Sequence, residues 1–445
     1  MLVSPPPADR ADGLPAWIWA VAAISHDAYG RLPAAGAREL EDAMPHRSEP
    51  GPQRERIAGA LADYVREGGP LSVADGSGVI GKLEQRIEKI LGLPDPLSFS
   101  SGTAGLHAAY LALDLPPGSE VAGPVTTFHA SLTPALHAGL NAVLVDVEPD
   151  TGNLCPAALE AAITPLTRCV TVTHYLGHPA AMEEITRICR ERDLHLIEDI
   201  SHSYLSTLNG QRVGTFGDIC VGSMQDKKSW PAGEGGLFSA AHPQWRERAL
   251  LAGHYRGRAL LIEDPELAAF GETGLGLKMR MHPLAAVVGL ANAEDLVERL
   301  AARRALLERL SRGLEGLAGV RPPVVRPGAG MGGWFSYRPQ IQPGELKPGV
   351  DVDAYLRRLQ DAGVPAHYPS VGSLAGMPLF TRPVPLRAGA GTWRPRLCGP
   401  FHGESAYNAG RISVSVTDRD IEETIDAYAA AFAEASQALA EPVAA

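Results

Sequence analysis

Apolar residues recur along this chain in two rhythms. Ile57, Leu61 and Val65 stand four apart, the spacing that lines one face of a helix. After a glycine-rich stretch at 68–81, Leu83, Ile87 and Ile90 share a second such face within 82–91, and Gly92 marks its end. The rhythm then shortens. Strand-length apolar runs fall at 97–100, 120–122, 142–145, 169–173, 195–197, 219–223 and 236–239, with helical stretches at 104–113, 130–138, 156–162 and 181–192 between them. Such alternation predicts an α/β fold, a largely parallel sheet with helices on both faces. Ligands of these sheets bind beyond the carboxyl ends of the strands. An alanine- and leucine-rich stretch at 284–317 reads as one long helix. From 320 to about 438, short strands and many prolines precede a final helix from Asp420. The expected organisation is an N-terminal extension (1–55), a large domain (56–300) and a small C-terminal α/β domain (301–445).

Composition narrows the classes. The 445 residues carry 40 Lys and Arg against 51 Asp and Glu, a formal charge of -11. That balance speaks against a general nucleic-acid or anionic-membrane surface, so anionic ligands need a local pocket. The longest apolar run near the N-terminus, residues 14–24, contains Pro15 and is far shorter than the roughly 20 residues of a membrane span. It reads as a buried or partner-contacting helix, and Ser4-Pro5-Pro6-Pro7 as a mobile terminus. The five cysteines form no C-x-x-C pair; reduced thiols in a cytoplasm are the simple expectation. His174 and His178 lie four apart, but Gly177 and Pro179 break any helix that would align them on a metal.

Three segments carry candidate chemistry. In Ser100-Ser101-Gly102-Thr103-Ala104 a strand ends, a tight turn follows and a helix starts. Its free backbone N–H groups suit a phosphate, although Ser and Thr there also serve as plain N-caps. In Glu198-Asp199-Ile200-Ser201-His202 a carboxylate follows a buried strand, placed to reach a ligand or to cap a helix. In 222–236 two lysines, Lys227 and Lys228, sit in a strand-to-strand connection bracketed by small residues. A lysine amine attacks an aldehyde only after losing its proton, which desolvation or a nearby cation promotes; a solvated loop lysine does no such chemistry.

In order and spacing these segments resemble the DegT/StrS family of pyridoxal 5′-phosphate (PLP) dependent aminotransferases, fold-type I enzymes acting on nucleotide-linked keto-sugars and ketocyclitols. The resemblance covers roughly residues 81–300, and the C-terminal part loosely. It includes Ser101-Gly102-Thr103-Ala104, Pro124-Val125-Thr126-Thr127-Phe128, Asp146-Val147-Glu148-Pro149-Asp150-Thr151, Gly177-His178-Pro179, Glu198-Asp199, Gly214-Thr215-Phe216-Gly217-Asp218 and Gly233-Glu234-Gly235-Gly236. It implies Lys228, five residues before Gly233, as the Schiff-base lysine, and Asp199 as partner of the pyridine nitrogen. Ser223, Gly102, Thr103 and Ala104 match the phosphate site, Phe128 the aromatic stacked on the ring, and His202 stands where the family has Gln or His.

Three departures stand out. Gln225-Asp226-Lys227-Lys228 replaces the common His-Pro-Thr-Lys, and the Ser-Met-Gln start is similar to aminocyclitol members, several of which use glutamine as donor. Lys278-Met279-Arg280 replaces Asn-Tyr-Arg, so Lys278 stands where the family's Asn reaches a neighbouring subunit's phosphate. The first 55 residues exceed the usual family length. The implied reaction moves an amino group from glutamate or glutamine to a ketone of a sugar or cyclitol in natural-product metabolism, within a homodimer. The alternatives are another PLP reaction on the same scaffold (dehydration, deoxygenation or cyclisation) or a catalytically silent PLP-binding partner subunit. Family dehydratases replace the lysine, usually by His, and Lys228 argues against that branch. In 253–258, His254, Tyr255, Arg256 and Arg258 are candidates either for acceptor contact or for a structural role.

Overall fold

The computed structural model describes residues 52–369, 372–382, 393–416 and 420–441. The expectations for residues 1–51, the mobile terminus and the apolar run at 14–24, lie outside the described residues. An eight-stranded sheet organises the rest. Its strands are β1 (Leu97–Phe99), β2 (Glu120–Pro124), β3 (Asn141–Val145), β4 (Thr167–Thr173), β5 (His195–Asp199), β6 (Ile219–Ser223), β7 (Gly236–Ala240) and β8 (Arg396–Leu397), in the order β1-β7-β6-β5-β4-β2-β3-β8. All adjacent pairs from β6 to β8 are parallel, and β7 runs antiparallel to both β6 and β1.

The sheet forms because its strands are apolar on both faces. In β3, Ala142 and Leu144 enter one core while Val143 and Val145 enter the other, and all four are fully buried. The first core is closed by helices α3 (Gly102–Leu113) and α6 (Pro243–Gly253). The second is closed by α4 (Pro156–Ala162) and α5 (Met182–Glu191), whose Met182, Ile185 and Ile188 point inward. Helix α2 (Gly78–Leu91) starts four residues earlier than the spacing suggested and ends at Gly92, in the left-handed conformation expected of a helix stop. Among the described residues no helix is long and apolar enough to cross a membrane.

Two expected helices differ. The stretch 130–138 forms two 3₁₀ segments, His129–Ser131 and Thr133–Ala138. Pro134 supplies no N–H and disfavours helical dihedrals at Thr133. The long helix at 284–317 is two helices, α7 (Pro283–Ala293) and α8 (Leu296–Leu314). Asp295 leaves helical geometry at the break, where its carboxylate pairs with Arg56 of α1 (Pro52–Arg66) at 2.8 Å.

Beyond residue 301 the chain serves two cores. Leu307, Leu310 and Leu314 of α8 pack with Leu356 and Leu359 of α9 (Val352–Asp361) and Phe432 of α10 (Glu422–Leu439). Residues 374–382 and 393–401 return to the large sheet instead. Leu374 N–H donates to Val125 O, Phe380 and Trp393 enter the sheet's first core, and β8 adds to β3.

At the carboxyl end of β6 the chain closes a tight loop and returns as β7. A Cβ on Gly236 would lie 2.3 Å from the carbonyl carbon of Ser101, so β7 and the turn before α3 approach as closely as backbones can. Gly236→Ala is expected to push that turn away and destabilise the fold by roughly 1–3 kcal/mol, the usual cost of overpacking. A lowered urea midpoint with an unchanged m-value would show it; an unaltered midpoint would mean the contact is slack.

Candidate active site

The ends of the parallel strands open into one cavity of about 430 Å³, lined by residues from five of these connections and from the distant Phe335. Gly102, Thr103, Phe128, Asp199, His202, Ser223 and Lys228 all line it. Ala104 does not, and its N–H is taken by the N-cap Ser101 Oγ at 3.0 Å. The capping use of this turn is present. Ser101 caps the helix, while Gly102 and Thr103 face the cavity at the positive end of α3.

Asp199 is the last residue of β5, 4% exposed, and Glu198 before it points to the opposite face. That alternation separates their tasks. Glu198 is fully buried and accepts the backbone N–H groups of Gly214, Phe216 and Gly217, with His174 Nε2 at 3.0 Å. It ties down the 214–218 turn. Asp199 accepts from Ser201 N–H on Oδ1 and from Ser131 Oγ on Oδ2, both at 3.0 Å. The carboxylate offers about four acceptor directions, so these two bonds leave capacity for a ligand donor.

Lys228 lies in the loop between β6 and β7. Its N–H donates to Gln225 O, Met224 and Gly235 bond across the loop base, and Ala232 N–H donates to Met224 O. Trp230, fully buried, anchors the loop by donating Nε1–H to Gly289 O at 2.8 Å. Burial lowers the pKa of the Lys228 amine, and the Asp199 charge partly opposes that shift. Lys227, its neighbour, is exposed but also lines the cavity.

His202 stacks flat on Phe335, centroids 4.1 Å apart, and the Lys228 amine sits 4.4 Å from the centre of the same ring. Burial, with the charges of Lys228 and Arg338, holds the imidazole well below its usual pKa, so it is neutral. Its Nδ1 is buried without a hydrogen-bond partner. Phe335 carried no local sequence signal. It reaches the site because Gly332 passes the 204–206 backbone so closely that a Cβ would meet Tyr204 O at 2.0 Å, and Phe335 N–H then bonds Leu176 O at 3.0 Å. Thr127, Thr173, Ser201, Gln225 and Glu234 are further lining residues without an expected role.

The remaining candidates lie elsewhere. Lys278 is exposed and outside this cavity. In 254–258, Arg258 is buried against Glu84 at 2.9 Å, His254 packs edge-on to Phe99, and Arg256 pairs with Glu272; these contacts are structural. His178 Nε2 accepts Arg326 N–H, and His174 is held by Glu198, so each has a partner other than a metal.

The chain matches the DegT/DnrJ/EryC1/StrS aminotransferase family over residues 73–381. It belongs to that family. It is 33% identical over 311 residues to the L-glutamine:2-deoxy-scyllo-inosose aminotransferase of Streptomyces kanamyceticus, covering 68% of this chain and 71% of that one. With GDP-perosamine synthase of Escherichia coli O157:H7 it shares 30% identity over 221 residues, half of this chain and 59% of the relative, so less than two thirds of that protein is spanned. The solved structure of 3-amino-5-hydroxybenzoic acid synthase superposes with a TM-score of 0.71 at 25% identity, covering 86% of this chain and 97% of that one. The cofactor of this family is pyridoxal 5′-phosphate, and the cavity fits it. It is lined by the helix-start residues Gly102 and Thr103, the Ser223 hydroxyl, the half-exposed ring of Phe128, a carboxylate with spare acceptor capacity, an imidazole with an unpartnered nitrogen and a lysine whose pKa burial lowers.

A depressed lysine pKa is a stability cost for the cofactor-free protein. The folded state resists protonation more than the unfolded chain does, so the cost is full below the folded pKa and vanishes as pH rises past the unfolded value. Cofactor-free Lys228→Met is therefore expected to melt above the cofactor-free parent at neutral pH, with the gap closing toward pH 11. A parent that melts higher at neutral pH would show that the amine is not held at a cost.

Proposed function

We propose that this chain transfers an amino group from glutamate or glutamine to a ketone carbon of a sugar or cyclitol, as a step of natural-product biosynthesis. The observation that carries the reading is the opening of the Lys228 amine, desolvated and lowered in pKa, into the same cavity as the acceptor-rich carboxylate of Asp199. The similarity to a glutamine-dependent cyclitol aminotransferase supports the donor and acceptor classes.

Bound in this cavity, pyridoxal phosphate supplies an aldehyde carbon to carry the amino group and a ring that accepts electrons. The amides of Gly102 and Thr103 and the hydroxyl of Ser223 hold its phosphate. Phe128, half exposed at the rim, covers one face of the ring. Asp199 holds a proton on the ring nitrogen, and the neutral His202 supports the ring or its O3′. Lys228 would anchor the aldehyde carbon, and its amine, once free, would act as base and then as acid for the proton of the donor's α-carbon. A depressed pKa suits that task, because the amine must be unprotonated to begin it.

The active unit is a homodimer in which Lys278 of one copy reaches the phosphate of the other. The exposure of Lys278 outside its own cavity supports this arrangement. Light scattering tests it, and a monomer that binds the cofactor tightly would overturn it.

The lysine assignment has a direct test. Lys228→Ala is expected to abolish turnover and the cofactor's visible band, whereas Lys227→Ala keeps most of both; the reverse pattern would mean the wrong lysine is assigned. Adding L-glutamine and L-glutamate separately to the purified protein should convert that band with one of them and so name the donor. A bound cofactor converted by neither would direct attention to another PLP reaction.

A further inference from the structure

Beside Asp199 lies a group of three buried hydroxyls, two of which, on Thr127 and Thr173, also border the cavity. Ser131 Oγ is 3.0 Å from Asp199 Oδ2, 3.0 Å from Thr127 Oγ1 and 3.0 Å from Thr173 Oγ1, and the two threonine oxygens are 2.9 Å apart. All three side chains are at most 3% exposed. Thr127 follows β2, Ser131 sits in the 3₁₀ segment beyond it, and Thr173 ends β4. The group therefore spans the strand ends beside β5. The Tyr110 hydroxyl donates to the Ser131 carbonyl, fixing the backbone from which that hydroxyl projects.

Counting protons gives the group a direction. A hydroxyl has one proton and two acceptor sites. An ionised carboxylate only accepts, so the Ser131 proton must point at Asp199. Ser131 is then left with acceptor capacity alone toward Thr127 and Thr173. At least one threonine must donate to it, and the remaining proton lies along another edge of the triangle. Each donation polarises the next hydroxyl toward the carboxylate. The opposite oxygen of Asp199 is held by Ser201 N–H, so the carboxylate plane is pinned from two sides.

We infer that Ser131 is a positioning residue that aims Asp199 at the bound ring nitrogen, with Thr127 and Thr173 orienting the Ser131 proton. This rests on Asp199 being the partner of that nitrogen. Ser131 itself does not line the cavity, so it acts only through Asp199.

The test compares Ser131→Ala, Ser131→Thr and Thr173→Val holoenzymes, with Asp199→Ala as reference. The readouts are the single-turnover rate with the donor amino acid, the pH titration of the cofactor's visible band, and the melting temperature of the cofactor-free protein. Ser131→Ala should slow the single turnover about tenfold to a hundredfold, as loss of a hydrogen bond to a charged group does. The donor KM should stay close to the parent's, the melting temperature should fall only as far as the loss of a buried hydrogen bond lowers it, and the band's pH midpoint should move. Ser131→Thr should restore rate and midpoint, and Thr173→Val should show a smaller loss in the same direction. A parental rate and midpoint in Ser131→Ala would overturn the inference. So would a Ser131→Thr protein as slow as the alanine variant at a parental melting temperature, because packing would then be the cause. If Ser131→Ala does not fold, an unmoved midpoint in Thr173→Val overturns it equally. Should Asp199→Ala behave as the parent does, the assignment of Asp199 fails instead.

Discussion

The pairing of β5 with β6 is the constraint on which this site hangs. Asp199 faces Val221 across that parallel ladder, so the carboxylate ending one strand is set beside the strand that leads to Ser223 and Lys228. Parallel neighbours end on the same side of a sheet. Asp199, Ser223 and Lys228 therefore share a cavity although Asp199 and Lys228 are 29 positions apart. A slip of one residue in β5 would exchange the directions of Glu198 and Asp199, putting the site's carboxylate into the 214–217 turn and the turn's into the site.

What the ladder positions, the loop holds in place. Residues 224–235 close on themselves through Met224, Gly235 and Ala232, and the indole of Trp230 is driven into the core against α7. The chain on either side of Lys228 is thereby held, and its amine is pressed against the face of Phe335 and away from water. Lys227, one position earlier, faces solvent. Two adjacent lysines in the same loop thus differ in exposure, and burial lowers the pKa of Lys228.

The polar interior of the site divides by reach. Contacts between residues close in sequence, such as Ser101 with Ala104 or Asp199 with Ser201, follow from local turn and cap rules and are readable from the chain. Contacts across strands are not. Thr127, Ser131 and Thr173 look like ordinary residues at strand ends, and they become a hydroxyl group around Asp199 only once β2, β4 and β5 lie side by side. Phe335 is more remote. It arrives over 130 positions from His202, through a Gly332 backbone approach that no local pattern announces.

The order of elements, the parallel character of the sheet and the gathering of the candidate residues at its carboxyl edge were legible in the amino-acid sequence. Apolar period, glycine stops and the spacing of short motifs report local physics, and motif order carries the family. The division of 284–317 into two helices and the 3₁₀ path of 130–138 were harder to see, since apolar spacing continues through the break at Asp295 and a single proline, Pro134, shapes the other. Which lysine is desolvated, which oxygen of Asp199 is already occupied, and which aromatic ring closes the cavity were decided by tertiary structure alone. Burial and hydrogen-bond direction are properties of what surrounds a side chain, and those surroundings come from segments tens to hundreds of residues away.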